Sequence, residues 1–231
     1  MRFRFTRPLA IYPATYIWRA LPRRQSGYYT AFFWGNDDGL DDLRTFVWTH
    51  QGTADAYYGA HPYPQPPPSG SKHRWEISIL QDDLLGAPVD YGRWHVQGFR
   101  AWPSPLGKHH EFYWDLPLTS APHRITVTAP EHWGDALPPR PALTWGDAPW
   151  APGKEVWHGV LGCIQVYETC LSVDEMMQEA RLPGSTRNGR QSLWYLNTGP
   201  TPNDIADRSG RGNHPEWVGP ERPMLWTQAA Y

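Results

Sequence analysis

GVLGCIQVYETCLSVDEMMQEARLP, residues 159–183, carries a strand, a turn and a helix, each with readable signals. In an extended chain Val160, Gly162, Ile164 and Val166 fall on one side, and Leu161, Cys163, Gln165 and Tyr167 on the other. That is the period-2 pattern of a β-strand. Both sides are fairly apolar, which predicts an inner strand covered on one face and at least partly on the other. The pattern breaks at Glu168 and Thr169. Ser172 then stands as an N-cap with Glu175 three residues on, a capping box, and Leu171 is placed to pack on Met176 as a hydrophobic staple. Val173, Met176, Met177 and Ala180 recur at i, i+3, i+4 and i+7, and Pro183 stops the turn. The sequence therefore predicts one short helix near 172–181.

This strand and helix resemble the closing segment of laminin-G-like, concanavalin A-like jelly-roll domains, where G-x-I-x-x-V-x-I-Y leads by a short link into L-S-x-x-E-I. Here the segment reads Gly162-Cys163-Ile164-Gln165-Val166-Tyr167, then Cys170-Leu171-Ser172-Val173-Asp174-Glu175-Met176. Asp207-Arg208-Ser209-Gly210-Arg211-Gly212-Asn213-His214 resembles the D-x-S-G-x-G-N-H turn of the same group. Arg93 to Arg100, RWHVQGFR, resembles its central W-H-x-V-A strand. The resemblance implies an all-β fold, a two-sheet antiparallel jelly-roll β-sandwich with one helix. In that group the D-x-S-G turn commonly precedes the helix, whereas here it follows. The stretch after the helix falls short of the roughly 100 residues of an independent sandwich. We therefore expect one permuted domain over 1–231, with the strands of 190–231 folding back into the same sandwich.

Composition agrees. The 231 residues include 25 prolines, 21 glycines and 14 tryptophans, the punctuation and ring content of strands joined by loops. Formal net charge is −2 and the lysines are Lys72, Lys108 and Lys154, so no basic stripe exists to neutralise a nucleic-acid backbone. Pro8 and Pro13 interrupt the start, and no signal peptide is read there. No apolar run reaches the length of a membrane span. Cys163 and Cys170 are read as two reduced thiols.

Along the chain, Leu9–Leu21 and Gly27–Gly35 read as two strands joined as a hairpin through PRRQS. Thr45–Thr49, Ala56–Ala60 and Arg74–Leu80 read as further strands, with the Pro-rich run His61–Ser71 as a surface loop. Glu111–Leu116 and Arg124–Ala129 continue the antiparallel series, and Pro130–Gly153 reads as a long connection. Ser192–Leu196, Glu216–Gly219 and Pro223–Trp226 follow the helix.

Catalytic patterns are scarce. A retaining glycosidase needs two carboxylates roughly 5 Å apart, but Glu111 and Asp115 lie about 13 Å apart along a strand. G-x-S-x-G is absent, and nothing in the sequence activates Cys163. A polysaccharide lyase requires a Tyr or His base and an Arg or Gln to neutralise a uronate, types present in Tyr57, Tyr58, His61, His73 and Arg74. The run Asn36–Asp42 holds four carboxylates, but a Ca²⁺ site would need six or more converging oxygens, so the expectation is a solvated turn and no cofactor, with Ca²⁺ as the alternative.

Binding is easier to motivate. Sugars present apolar C–H faces edged by hydroxyls, which match aromatic rings beside polar groups. Trp34 with Asn36 and Asp37 has that composition, as do Tyr57 and Tyr58 with His61 and Arg74. Asp207, Ser209 and Asn213 are instead expected to shape their own turn, with Gly210 and Gly212 at positive φ.

The expectation is thus a non-catalytic lectin-like recognition or assembly protein that binds glycans or neighbouring structural subunits, with an oligomer allowed. The tail pattern D-x-S-G-x-G-N-H…R-P-x-L-W resembles bacteriophage structural proteins, which implies a virion decoration or adhesion component, with the cytoplasm as the other location. The alternative is a polysaccharide lyase on the same fold acting on acidic glycans.

Overall fold

The computed structural model describes residues 2–10, 13–23, 32–35, 55–60, 75–80, 92–104, 107–114, 116, 123–129, 140–146, 159–185, 192–196 and 205–218. In chain order the strands are β1 (Arg2–Leu9), β2 (Ala14–Pro22), β3 (Phe32–Gly35), β4 (Asp55–Ala60), β5 (Trp75–Leu80), β6 (His95–Ser104), β7 (Gly107–Trp114), β8 (His123–Ala129), β9 (Arg140–Trp145) and β10 (Gly159–Tyr167). The helix α1 (Val173–Arg181) follows, then β11 (Ser192–Leu196) and β12 (Pro215–Trp217).

The strands form an antiparallel six-stranded sheet in the order β11-β10-β2-β6-β7-β8 and an antiparallel four-stranded sheet in the order β12-β1-β9-β3. β4 and β5 pair in a two-stranded sheet of their own. The two larger sheets, with one helix among the described residues, are the architecture that the sequence resemblance implied.

β2 shows how sequence becomes core. Ala14, Tyr16, Trp18 and Ala20 alternate with Thr15, Ile17 and Arg19, and all but Arg19 are buried. Register places Phe99 beside Tyr16, and Ile164 and Val166 beside Trp18 and Tyr16, so one face is an apolar interior. The other face is covered by α1. There Ile17, Tyr113, Leu116, Tyr167 and Leu171 pack with Met176 and Ala180, and Val173 and Met177 lean on the same cluster. Burying Met176 alone contributes about 1.5–3 kcal/mol.

The helix forms as its sequence predicts. The Ser172 hydroxyl accepts from the Glu175 amide at 3.3 Å, and the Glu175 carboxylate accepts from the Ser172 amide at 2.8 Å. At the other end Arg19 Nη2 donates to the Ala180 carbonyl, satisfying a terminal acceptor with a cation.

Four expectations are corrected. The expected hairpin between the segments 9–21 and 27–35 does not form, because both edges of β2 are occupied by β10 and β6 while β3 pairs with β9 in the other sheet. The stretch 130–153 is not only a connection, since it contains β9, an inner strand between β1 and β3. Pro141 is tolerated there because the β1 ladder is irregular between Arg4 and Leu9, so the missing N–H falls where pairing is interrupted. The first residues, read only for a leader, form β1. Finally, a register shift between Leu161 and Ile164 breaks the alternation of β10. A Cβ on Gly162 would meet Arg19 on the helix-covered face, opposite Ile164. The expected strands at 45–49 and 223–226 lie outside the described residues.

Candidate functional site

Three groups of described polar side chains are tied together by hydrogen bonds. The first is on the helix-covered face. The antiparallel register pairs Arg100 of β6 with Glu111 of β7. Arg100 Nε donates to Glu111 Oε2 at 2.7 Å, its Nη2 lies 2.6 Å from the same oxygen, and Nη1 donates to the Leu171 carbonyl at 2.8 Å. The Tyr113 hydroxyl donates to the same Glu111 oxygen. The guanidinium carbon lies 4.8 Å from the centre of the Trp102 ring and 5.6 Å from that of Tyr113. Burial opposes the Arg100 charge, but the oxygens of Tyr113 and Glu111 outweigh it and hold the group above its ordinary range.

Arginine, glutamate and tyrosine are the residue types of acid–base chemistry on an acidic sugar. Here they are spent on structure: Tyr113 is fully buried, Glu111 is 6% exposed, and the Leu171 carbonyl that leads into α1 takes the third arginine donor. Thr15 braces the same link, donating to the Thr169 carbonyl at 2.8 Å and accepting from the Leu171 amide at 2.9 Å.

The second place lies under the helix. Glu179 is fully buried, and its Oε2 accepts from Gln165 Nε2 at 3.2 Å, from the Tyr167 hydroxyl at 2.6 Å and from the Gly184 amide at 2.7 Å. This ties β10, α1 and the turn after α1 to one oxygen.

The third is the turn at 207–214. Asp207 Oδ1 accepts from the Ser209 amide at 2.9 Å, and Oδ2 accepts from the Ser209 hydroxyl at 2.8 Å and the Asn213 amide at 2.9 Å. Gly210 and Gly212 have φ of 80° and 67°. The conformational role read for Asp207, Ser209 and Asn213 is therefore observed, and Asn213 also reaches β1 by two hydrogen bonds to Arg7.

The candidate sugar-binding residues are distributed over separate elements. Trp34 stands in β3 opposite Leu143, and Tyr57 and Tyr58 stand in β4 opposite Ser78 and Ile77. β3 belongs to the four-stranded sheet and β4 to the two-stranded one, so no backbone ladder joins the two groups. Asn36, Asp37, His61 and Arg74 lie outside the described residues, as does the carboxylate turn 36–42. Among the described residues no three His, Cys, Asp or Glu side chains gather as a metal site, and no helix is long and apolar enough to cross a membrane. Cys163 and Cys170 form no disulfide.

Sequence reasoning missed the Arg100–Glu111–Tyr113 cluster. A signal existed: once Ser104 is paired with Gly107, the antiparallel register forces Arg100 opposite Glu111.

The sequence matches no family model and no curated protein. Solved structures do resemble the chain. A native heptameric SAP-like pentraxin from Limulus polyphemus is 15% identical with a TM-score of 0.53, covering 83% of this chain and 84% of that one. The CBM40 of the Ruminococcus gnavus IT-sialidase, bound to α2,3 sialyllactose, is 12% identical with a TM-score of 0.51, covering 75% and 83%. A candidate carbohydrate-binding protein of Bacteroides ovatus ATCC 8483 is 12% identical with a TM-score of 0.52, covering 91% and 54%. The fold is a lectin-like jelly roll. At these identities the likeness establishes the shape of the chain and leaves its ligand to be argued separately.

Proposed function

We propose that the chain is a non-catalytic, lectin-like recognition protein, one domain over residues 1–231, that binds a glycan or a neighbouring structural subunit as a decoration or adhesion component of a virion. The observation that carries this reading is the fold itself, shared with a sialyllactose-bound module over 75% of the chain and with a candidate carbohydrate-binding protein over 91%. A second observation supports a role without catalysis: the described acid–base cluster of Arg100, Glu111 and Tyr113 is consumed by internal bonds. The virion placement rests on the tail pattern Asp207–His214 followed by Arg222-Pro223-Met224-Leu225-Trp226.

The proposed contacts are Trp34, Asn36 and Asp37 on one side and Tyr57, Tyr58, His61 and Arg74 on the other. Rings stack on the C–H faces of a sugar while the polar groups bond its hydroxyls. The purified chain on a glycan array is expected to retain ligands without cleaving them, and a Tyr57→Ala, Tyr58→Ala variant to lose most of that retention at unchanged melting temperature. Absence of retention on any glycan overturns the sugar-binding reading. New ultraviolet absorbance from unsaturated uronate ends would establish a lyase instead. Fixed copy number in purified particles is the expected result for the virion role, and absence from particles overturns it.

A further inference from the structure

β1 and the 207–214 turn lie at opposite ends of the sequence, yet Asn213 fastens them together, and the junction brings exposed arginines to one place. Arg7 on β1 and Arg208 and Arg211 on the turn are all exposed, as is His214. His214 Nδ1 accepts the Asp207 amide at 3.1 Å, which leaves the ring proton on Nε2 as an outward donor. Over β1 and residues 205–218 there are five arginines and only two carboxylates, Asp207 and Glu216, in a chain whose formal net charge is −2. Asp207 is buried with three donors on its oxygens, and Glu216 stands opposite Arg4 in the ladder.

We propose that Arg7, Arg208, Arg211 and His214 form a binding surface for acidic glycans, those carrying carboxylate or sulfate groups. Guanidinium groups suit planar oxyanions because two parallel N–H bonds reach two oxygens at once. The turn carrying two of them is rigid, since Asp207 and Asn213 fix its backbone before any ligand arrives, which lowers the ordering cost of binding. Nucleic acid fits less well. The cluster is compact around one tight turn instead of tracking successive phosphates, and the ring nearest in the ladder, Trp217, is half-buried and edge-on to Phe3 at 5.6 Å.

The choice of a glycan over another anion rests on the recognition reading above; the surface itself rests on the arginines. The test uses the whole chain in titration calorimetry against heparin and polygalacturonate, with a neutral galactan and single-stranded DNA alongside. Wild type is expected to bind the acidic polysaccharides, more weakly as salt rises. The R7Q/R211Q variant is expected to lose at least about tenfold in affinity, at an unchanged melting temperature because the Arg7 clamp uses only its backbone. Equal binding by variant and wild type overturns the proposal, as does equal or tighter binding of the DNA. Galactan binding by wild type without acidic-glycan binding sinks this surface and leaves the recognition reading standing. Failure with every polysaccharide sinks this surface, while the glycan array decides the broader reading.

Discussion

The side-chain amide of Asn213 closes both backbone hydrogen bonds of Arg7, accepting its N–H at 3.0 Å and donating to its carbonyl at 2.9 Å, across 206 positions of sequence. The amide acts as a substitute peptide where β1 has lost its regular register with β9. Unpaired backbone groups at such a gap would be costly. β12 then continues the job by pairing with Phe3, Arg4 and Phe5. The D-x-S-G-type turn thus comes late in the chain yet sits against its first strand.

Asn213→Ala removes both bonds and leaves the Arg7 amide and carbonyl short of partners. A loss of about 2 kcal/mol is expected in urea unfolding. Asn213→Asp keeps the acceptor but sets a carboxylate oxygen against the Arg7 carbonyl, so it is expected to be no better than alanine. Wild-type stability in either variant would show that the clamp contributes nothing.

Glu179 separates charge from shape. Three donors converge on Oε2, so Glu179→Gln retains that bonded oxygen and is expected to cost under about 1 kcal/mol. Glu179→Leu leaves Gln165, Tyr167 and Gly184 with buried donors and is expected to cost about 3 kcal/mol. Denaturant midpoints of the two variants check the order, and equal losses would mean that packing alone decides.

Glu111→Gln strips the countercharge from Arg100. The expected loss is about 2 kcal/mol, below that of a fully buried pair because the arginine side chain keeps 13% of its surface in water. The sign of the pH dependence follows from the raised Arg100 value. A cation raised in the folded state stabilises at every pH below the ordinary arginine value and loses that contribution only as pH climbs past it. The gap between variant and wild type is therefore expected to be the same at about pH 7 and about pH 10. A gap that closes over that interval would mean that Arg100 is not the group left stranded.

What the sequence shows plainly is whatever is decided locally. The capping box at Ser172 and Glu175, the stripe of Met176 and Ala180, and the Asp207 turn each depend on residues a few positions apart, and each is found where read. What it hides is decided by partners far along the chain. β9 was obscured by Pro141, which reads as a strand breaker until β1 is seen to have its irregularity there. β3 reads as the hairpin partner of β2 because nothing local says that β10 and β6 already flank β2. Glu179 sits in an exposed-looking helical repeat, and only the facing Gln165 and Tyr167 explain its burial. For the sugar-contact residues, Trp34, Tyr57 and Tyr58 sit in strands whose order depends on such distant pairings, so sequence adjacency said little about which of them share a surface.

Two glycines give opposing tests of how closely the layers meet. A Cβ on Gly98 would lie 2.6 Å from Leu116 Cδ1 and 2.7 Å from Met176 Cε, the far ends of two side chains that can swing. Gly98→Ala is therefore expected to cost about 1–3 kcal/mol as overpacking, and Met176→Ala in the same chain is expected to cost less than it does alone, because the two changes share one space. A Cβ on Gly159 would lie 2.0 Å from the Leu21 carbonyl oxygen at a φ of 133°, against backbone that has no rotamer to change. Gly159→Ala is expected to cost more than Gly98→Ala, about 3 kcal/mol or above. Urea unfolding of the two single variants and the double decides the matter. If Gly98→Ala proves harmless while Met176→Ala stays fully additive with it, α1 does not rest on β6 at Gly98, and the helix-covered face has to be rebuilt.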